Sequence, residues 1–276
     1  MAKKPSSSDR LPNAPLVEVV FELRWELQSG PAGGQVLQSD PGIVSLVENF
    51  SQRAKKLKFN FYREMSHPLQ TGPYGVVRRF FHNAESPFPI LQIGQGILAS
   101  NESSQYEWKS FKAQSLLAVR TLFQSYPKMD FFTLRPNQLE LRYIDVFDKT
   151  ILGHTSLFPF LDQGTSIKLE LPPMMKDKKL LRGNAFGRFS FQSELKERKD
   201  SLLSFDVGSG KNLESNEDLI RMETKITSKA EGIPNFKDAA SFIKEVGIWL
   251  EFAHDITSPL FKQIVTADVM TKFKGQ

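Results

Sequence analysis

Hydrophobic and polar residues alternate strictly near the start of the chain. Val17, Val19, Phe21, Leu23, Trp25 and Leu27 point one way; Glu18, Val20, Glu22, Arg24 and Glu26 point the other. A period of two over such a run predicts a long strand with one buried face. Pro12 and Pro15 precede it, so residues 1–10 read as a disordered lead and the fold begins near residue 11.

Further along, the period changes. Residues 28–40 carry Gly30, Pro31, Gly33 and Gly34 and read as a loop. Asp40-Pro41 offers a helix start, with Asp as N-cap and Pro at the first helical position. Ile43, Leu46, Val47, Phe50, Ala54 and Leu57 then keep helical spacing. After a loop at 66–75, a hairpin is predicted, with strands at 76–83 and 90–100, and Gly94 and Gly96 mark a bulge or a close backbone approach. Ser103 or Ser104 is expected to cap a second helix with Glu107 in a capping box. Trp108, Phe111, Ser115, Leu116, Val119, Leu122 and Phe123 stripe that helix to about Tyr126. A strand at 138–148 closes a first half, 11–150, of order β-α-β-β-α-β.

The second half, 151–276, reads as four strands (166–171, 185–196, 201–207 and 219–230) and a long helix capped by Asn235. A short helix at 155–161 is expected ahead of the strands, and Ser258-Pro259 is expected to break or kink the long helix ahead of a short last one, 259–272. Hairpins interleaved with helices predict an α+β fold: a large, twisted, mainly antiparallel sheet with about three major helices. The two α/β halves are expected to share one core and to behave as one cooperative unit.

Composition narrows the chemistry. The 276 residues are 40% hydrophobic and include 23 Phe, enough apolar surface to exclude wholesale disorder. There is no Cys, which excludes disulfides, thiol nucleophiles and thiolate zinc sites. No apolar run reaches the ~18 residues of a spanning helix, and no apolar segment follows the basic start, so a cytoplasmic protein with no membrane contact is expected. A net charge of +5 permits a polyanionic partner without demanding one.

The stretch Leu11-Pro-Asn-Ala-Pro-Leu-Val-Glu-Val-Val-Phe-Glu-Leu-Arg-Trp25 resembles the opening of a sporadically distributed bacterial family of unknown function. Three later pieces are similar to that family too: Tyr106-Glu107-Trp108 followed by Phe111, the run Leu139-Glu-Leu-Arg-Tyr-Ile-Asp145, and His254 shortly before Phe261. The resemblance carries no activity. It implies a context of mobile elements or defence gene clusters.

Candidate chemistry is sparse. His67, His82, His154 and His254 each stand alone, with no metal-ligand spacing. His254, near a helix C-terminus, suits a capping role there. Asp206 with Glu223-Thr-Lys225 has the skeleton of a metal-dependent nuclease, but the same residues describe a solvated sheet face with cross-strand charge pairs. Gly94 and Gly96 lack the third glycine of a dinucleotide fingerprint, and Gly208-Ser-Gly210-Lys211 reads as a loop between strands. Lys55, Lys56, Lys58, Arg63, Arg78 and Arg79 interleave with Phe59, Phe61, Tyr62, Phe80 and Phe81, a combination that suits single-stranded nucleic acid. A further basic run, Lys176–Arg182, reads as loop. No catalytic, cofactor or metal-binding residue is assigned. The expected function is a non-enzymatic binding or regulatory protein acting through a protein partner or as a homo-oligomer. A nucleic-acid-binding accessory factor is the alternative, and the nuclease a third reading.

Overall fold

The structure is a computed structural model. It describes residues 14–32, 35–66, 76–85, 88–103, 106–168, 170, 187–212, 215–234 and 237–273. The expected disordered lead at 1–10, His67 and the basic run at 176–182 lie outside the described residues.

Among the described residues eleven strands run β1 Leu16–Trp25, β2 Gln28–Ala32, β3 Gln35–Ser39, β4 Phe61–Ser66, β5 Val76–Phe81, β6 Ile90–Gly94, β7 Ile97–Glu102, β8 Pro136–Phe147, β9 Arg188–Glu194, β10 Ser201–Lys211 and β11 Asp218–Lys229. Nine of them form one sheet in the order β4-β5-β6-β7-β1-β8-β11-β10-β9, and β2 and β3 pair separately. Every pairing in the large sheet is antiparallel. Strand β1, first in the chain, sits at the centre. The expected α+β class with a large antiparallel sheet is what the chain adopts.

Three long helices, α1 (Ile43–Lys56), α2 (Trp108–Ser125) and α5 (Ala239–Ile264), pack on one face of this sheet. Between the last two lie α3 (Lys149–Leu152), α4 (Leu157–Pro159) with a π turn at Phe160–Gly164, and a 3-10 turn at Ala230–Gly232; α6 (Ala267–Phe273) ends the described chain. Alternation in β1 dictates the packing: Val19, Phe21, Leu23 and Trp25 are buried under the helices. Their cross-strand partners Leu98, Leu139 and Leu141 join them, as do Leu46, Phe50, Phe111, Leu122, Phe242, Trp249 and Leu250 from the helices. This core crosses the expected boundary at residue 150, because Ile226 and the 242–253 turns of α5 fill it. A second cluster beneath β10 and β11 gathers Phe147, Phe160, Phe205, Met222, Ile264 and Phe273.

Local chemistry explains several departures from expectation. Val17 has no partner in a register shift between Leu16 and Glu18, so it is 44% exposed, and the strand ends at Trp25, not Leu27. The loop at 28–40 instead forms the β2–β3 hairpin, and β4 occupies a stretch with no predicted element. The return strand at 90–100 is two strands: Gly96 adopts φ 69° and turns β6 into β7, where only glycine is unstrained. Glu107 itself caps α2, accepting from the amides of Lys109 and Ser110. Asp238, not Asn235, caps α5 in a capping box with Ser241. The helix runs through Pro259 to Ile264, and its end is tied by Ser166 N donating to Ile264 O at 2.7 Å. The described part of 166–171 holds no strand, and β10 absorbs Gly208-Ser-Gly210-Lys211, so the second half carries three strands of the sheet among the described residues. The short helix expected at 155–161 is divided between α4 and the π turn.

Candidate functional site

With the long helices on one face, the other face of the sheet presents the opposite residues of each strand. Glu18, Val20, Glu22 and Arg24 of β1 stand beside Ile97, Ala99 and Asn101 of β7 and Glu140, Arg142 and Ile144 of β8. Beyond them come Gln92 of β6 and Val77 and Arg79 of β5 on one side, and Glu223, Lys225 and Thr227 of β11 on the other. A trough of about 360 Å³ lies along the β1 side of this face, lined by Glu22, Arg24, Met65, Arg79, Asn101 and Arg142 among others.

The polar groups in the trough are ordered by one another. Arg79 donates to Gln92 at 2.7 Å, Gln92 to Asn101 at 2.7 Å and Asn101 to Glu18 at 2.6 Å, a relay across β5, β6, β7 and β1. Arg24 pairs with Glu22 at 2.6 Å, and Thr227 donates to Glu140 at 3.0 Å. Arg142 approaches Glu140 at 3.3 Å, yet its Nε makes no well-aligned hydrogen bond, so the contact is electrostatic and the donor is left over. Glu22, Glu140 and Glu223 are each only 8% exposed on a face that no described helix covers. Carboxylates this sheltered need cations beside them, and each has one. The face is thus preorganised and mixed in charge, with Arg63 and Arg79 toward its β4–β5 end and acids and bases interleaved from β1 to β10.

The nuclease skeleton falls on this same face. Asp206 stands directly opposite Glu223, and Lys225 lies 3.7 Å from Glu223. Both carboxylates are already engaged: Arg188 holds Asp206 at 2.8 Å and Arg221 holds Glu223 at 2.6 Å. Burial pushes the Asp206 carboxyl up, and the Ser190 hydroxyl and the Arg188 guanidinium more than offset this, so it lies below the usual carboxylate range. Among the described residues no group of three or more acids or histidines is arranged to hold a metal ion.

The basic and aromatic cluster is divided by the sheet. Lys55, Lys56 and Lys58 are exposed where α1 ends. Arg78 faces the helices; it donates to Glu64 at 2.5 Å and to Ser51 at 2.9 Å, with its guanidinium 4.7 Å from the Tyr62 ring. Arg79 points to the opposite face, as does Arg63, which lies 5.7 Å from the Phe81 ring. Neighbours in a strand must face opposite ways, so Arg78 and Arg79 cannot share a surface. Phe59, Phe80 and Phe81 are core residues, leaving Phe61 and Tyr62 exposed.

The segments around Tyr106, Tyr143 and His254 meet at one network. The Tyr106 and Tyr143 hydroxyls are 2.9 Å apart, and Tyr143 Oη is 2.8 Å from Nδ1 of His254. Trp108 stacks on His254 with ring centroids 3.9 Å apart and donates to Glu251 at 3.0 Å; Lys112 pairs with Glu251 at 2.6 Å. Burial raises both tyrosines, and burial lowers His254 despite nearby Asp255 and Glu251, so all three are neutral at pH 7. The network clasps the start of α2, strand β8 and α5. His254 lies well inside α5, which runs on to Ile264, so the expected capping role falls away and the residue works through its ring, with Tyr143 and Trp108. The other described histidines are local: His82 Nδ1 lies 2.9 Å from Lys58 O, and His154 Nδ1 accepts from Ser156 N.

Nothing in the sequence announced the relay from Arg79 to Glu18, although alternation in four strands places its members on one face. No protein-family model matches the chain, and no curated protein matches it. Among the described residues, no helix is long and apolar enough to cross a membrane.

Proposed function

We infer that the protein is a non-enzymatic binding protein that engages a protein partner on the open face of its sheet. The observation that carries this reading is the trough beside β1, where arginines and sheltered carboxylates alternate and hold one another in place. Fixed polar groups cost little entropy to order on binding, which favours specific recognition. Mixed charge favours a polypeptide over a polyanion, because Glu18, Glu22, Glu140 and Glu223 would repel phosphates. The complementary ligand is a segment with acidic residues over Arg24, Arg63 and Arg79 and basic ones over the carboxylates. The similarity to a patchily distributed bacterial family fits a partner encoded nearby.

The test is capture from the native host with and without nuclease treatment, comparing the wild-type chain with Arg24→Glu and, as a control on the helix side, Arg53→Glu. A protein partner retained by the control and bound about tenfold more weakly by Arg24→Glu is expected, since a like-charge contact costs on the order of a kcal/mol or more. Captured nucleic acid that is lost on nuclease treatment would replace this reading with the nucleic-acid one.

A further inference from the structure

We propose that two copies of this chain associate through strand β9, antiparallel to one another about Phe191, so that the sheet continues from one copy into the other. Strand β9 is the last strand at its end of the sheet, paired on one side with β10 and, among the described residues, with nothing on the other. Such a strand presents a row of backbone donors and acceptors to whatever can pair with it. Its sequence, Arg-Phe-Ser-Phe-Gln-Ser-Glu over Arg188–Glu194, contains no proline and is exposed at all but Phe189. The opposite edge, β4, is shorter and is followed at once by residues outside the description.

What selects a second copy over another partner is the strand's self-complementarity. An antiparallel pairing centred on Phe191 sets Arg188 against Glu194 of the other copy, and Glu194 against its Arg188. Ser190 meets Gln192, Phe189 meets Ser193, and Phe191 meets itself. The register of β9 against β10 places Arg188, Ser190, Gln192 and Glu194 on one face, so each opposite-charge pair forms on a single side of the joined sheet. The other side gains a pair of phenylalanines that are each 49% exposed in the single chain. A two-fold axis through Phe191 makes the contact isologous and closed, so it stops at two copies. Arg188 is already positioned for this, because Asp206 holds its guanidinium on the open face while leaving most of the side chain accessible.

The experiment is sedimentation of the full chain over a concentration series, with charge variants at the two ends of the strand. The wild-type chain is expected to be a dimer. Glu194→Arg alone and Arg188→Glu alone each place like charges opposite at both ends and are expected to weaken association by about tenfold or more. Mixed together, the two variants restore opposite charges at both ends, so a heterodimer as tight as the wild-type dimer is expected. Mixing controls for folding, since a variant that had simply lost its structure would not be rescued by its complement. The chain has no Cys, so Phe191→Cys carries the only thiol and is expected to give a covalent dimer on mild oxidation. A wild-type chain that stays monomeric throughout the series would overturn the proposal, as would a dimer indifferent to both charge variants.

Discussion

Replacing Asp40 by alanine is expected to cost about 4 kcal/mol of stability. Asp40 is 1% exposed, and its carboxylate accepts from three elements at once: Trp25 Nε1 at 2.8 Å, the Gly42 amide at 2.8 Å and the Tyr126 hydroxyl at 2.6 Å. It thereby joins the end of β1, the start of α1 and the end of α2. Burial, then Asp40 itself, raises Tyr126 far above its ordinary value, so that hydroxyl stays a donor at all accessible pH. In Asp40→Ala two buried donors and the half-buried Tyr126 hydroxyl lose their acceptor, each at roughly 1–3 kcal/mol, and relief of the buried charge returns part of that. Asp40→Asn keeps an acceptor oxygen and is expected to cost about half as much. Urea unfolding followed by tryptophan fluorescence measures both. A loss below about 1 kcal/mol in Asp40→Ala would show that the three elements are held without it.

Asp145 supplies the second large effect, of opposite sign. It lies on the helix-facing side of β8, opposite Met222, and burial pushes its carboxyl up to about 8. The folded chain therefore holds a proton that the unfolded chain releases near its ordinary value of 3.8. A raised folded value gives stability that is complete below the unfolded pKa and is lost as pH rises toward about 8. Between pH 5 and 8 the wild-type chain should lose stability as pH rises, by comparison with Asp145→Asn. Asparagine is neutral throughout and should stabilise the protein at pH 8 by on the order of 3 kcal/mol. The difference between the two chains is the measured quantity, because acids held low, such as Asp206 and Glu251, act below this window in both. An Asp145→Asn chain that unfolds more easily at pH 8, or that keeps the wild-type slope, would contradict the assignment.

Much of the architecture could be read from the residues. Alternation exposed β1, helical spacing exposed α1, α2 and α5, and hairpin spacing exposed the β9–β10 pair. What escaped was carried by weak local signals or by long-range pairing. The β2–β3 hairpin hides in a glycine- and proline-rich stretch, and one glycine with positive φ turns a single predicted strand into β6 and β7. The central place of β1 depends on partners about 80 and 120 positions away, which no local pattern encodes. Candidate sites behaved likewise. Lys55, Lys56, Lys58, Arg63, Arg78 and Arg79 lie near one another in sequence, yet the pleat sends Arg78 and Arg79 to opposite faces. Tyr106, Tyr143 and His254 are remote in sequence and meet within hydrogen-bond distance.

The most direct test of a partner on the open face is a photo-crosslinking residue at Val20, at the floor of the trough, set against one at Val44 on the exposed side of α1. The Val20 chain, irradiated in its native host, is expected to give one discrete protein adduct that the Val44 chain does not. Equal labelling from both positions, or an adduct with nucleic acid alone at Val20, would contradict it.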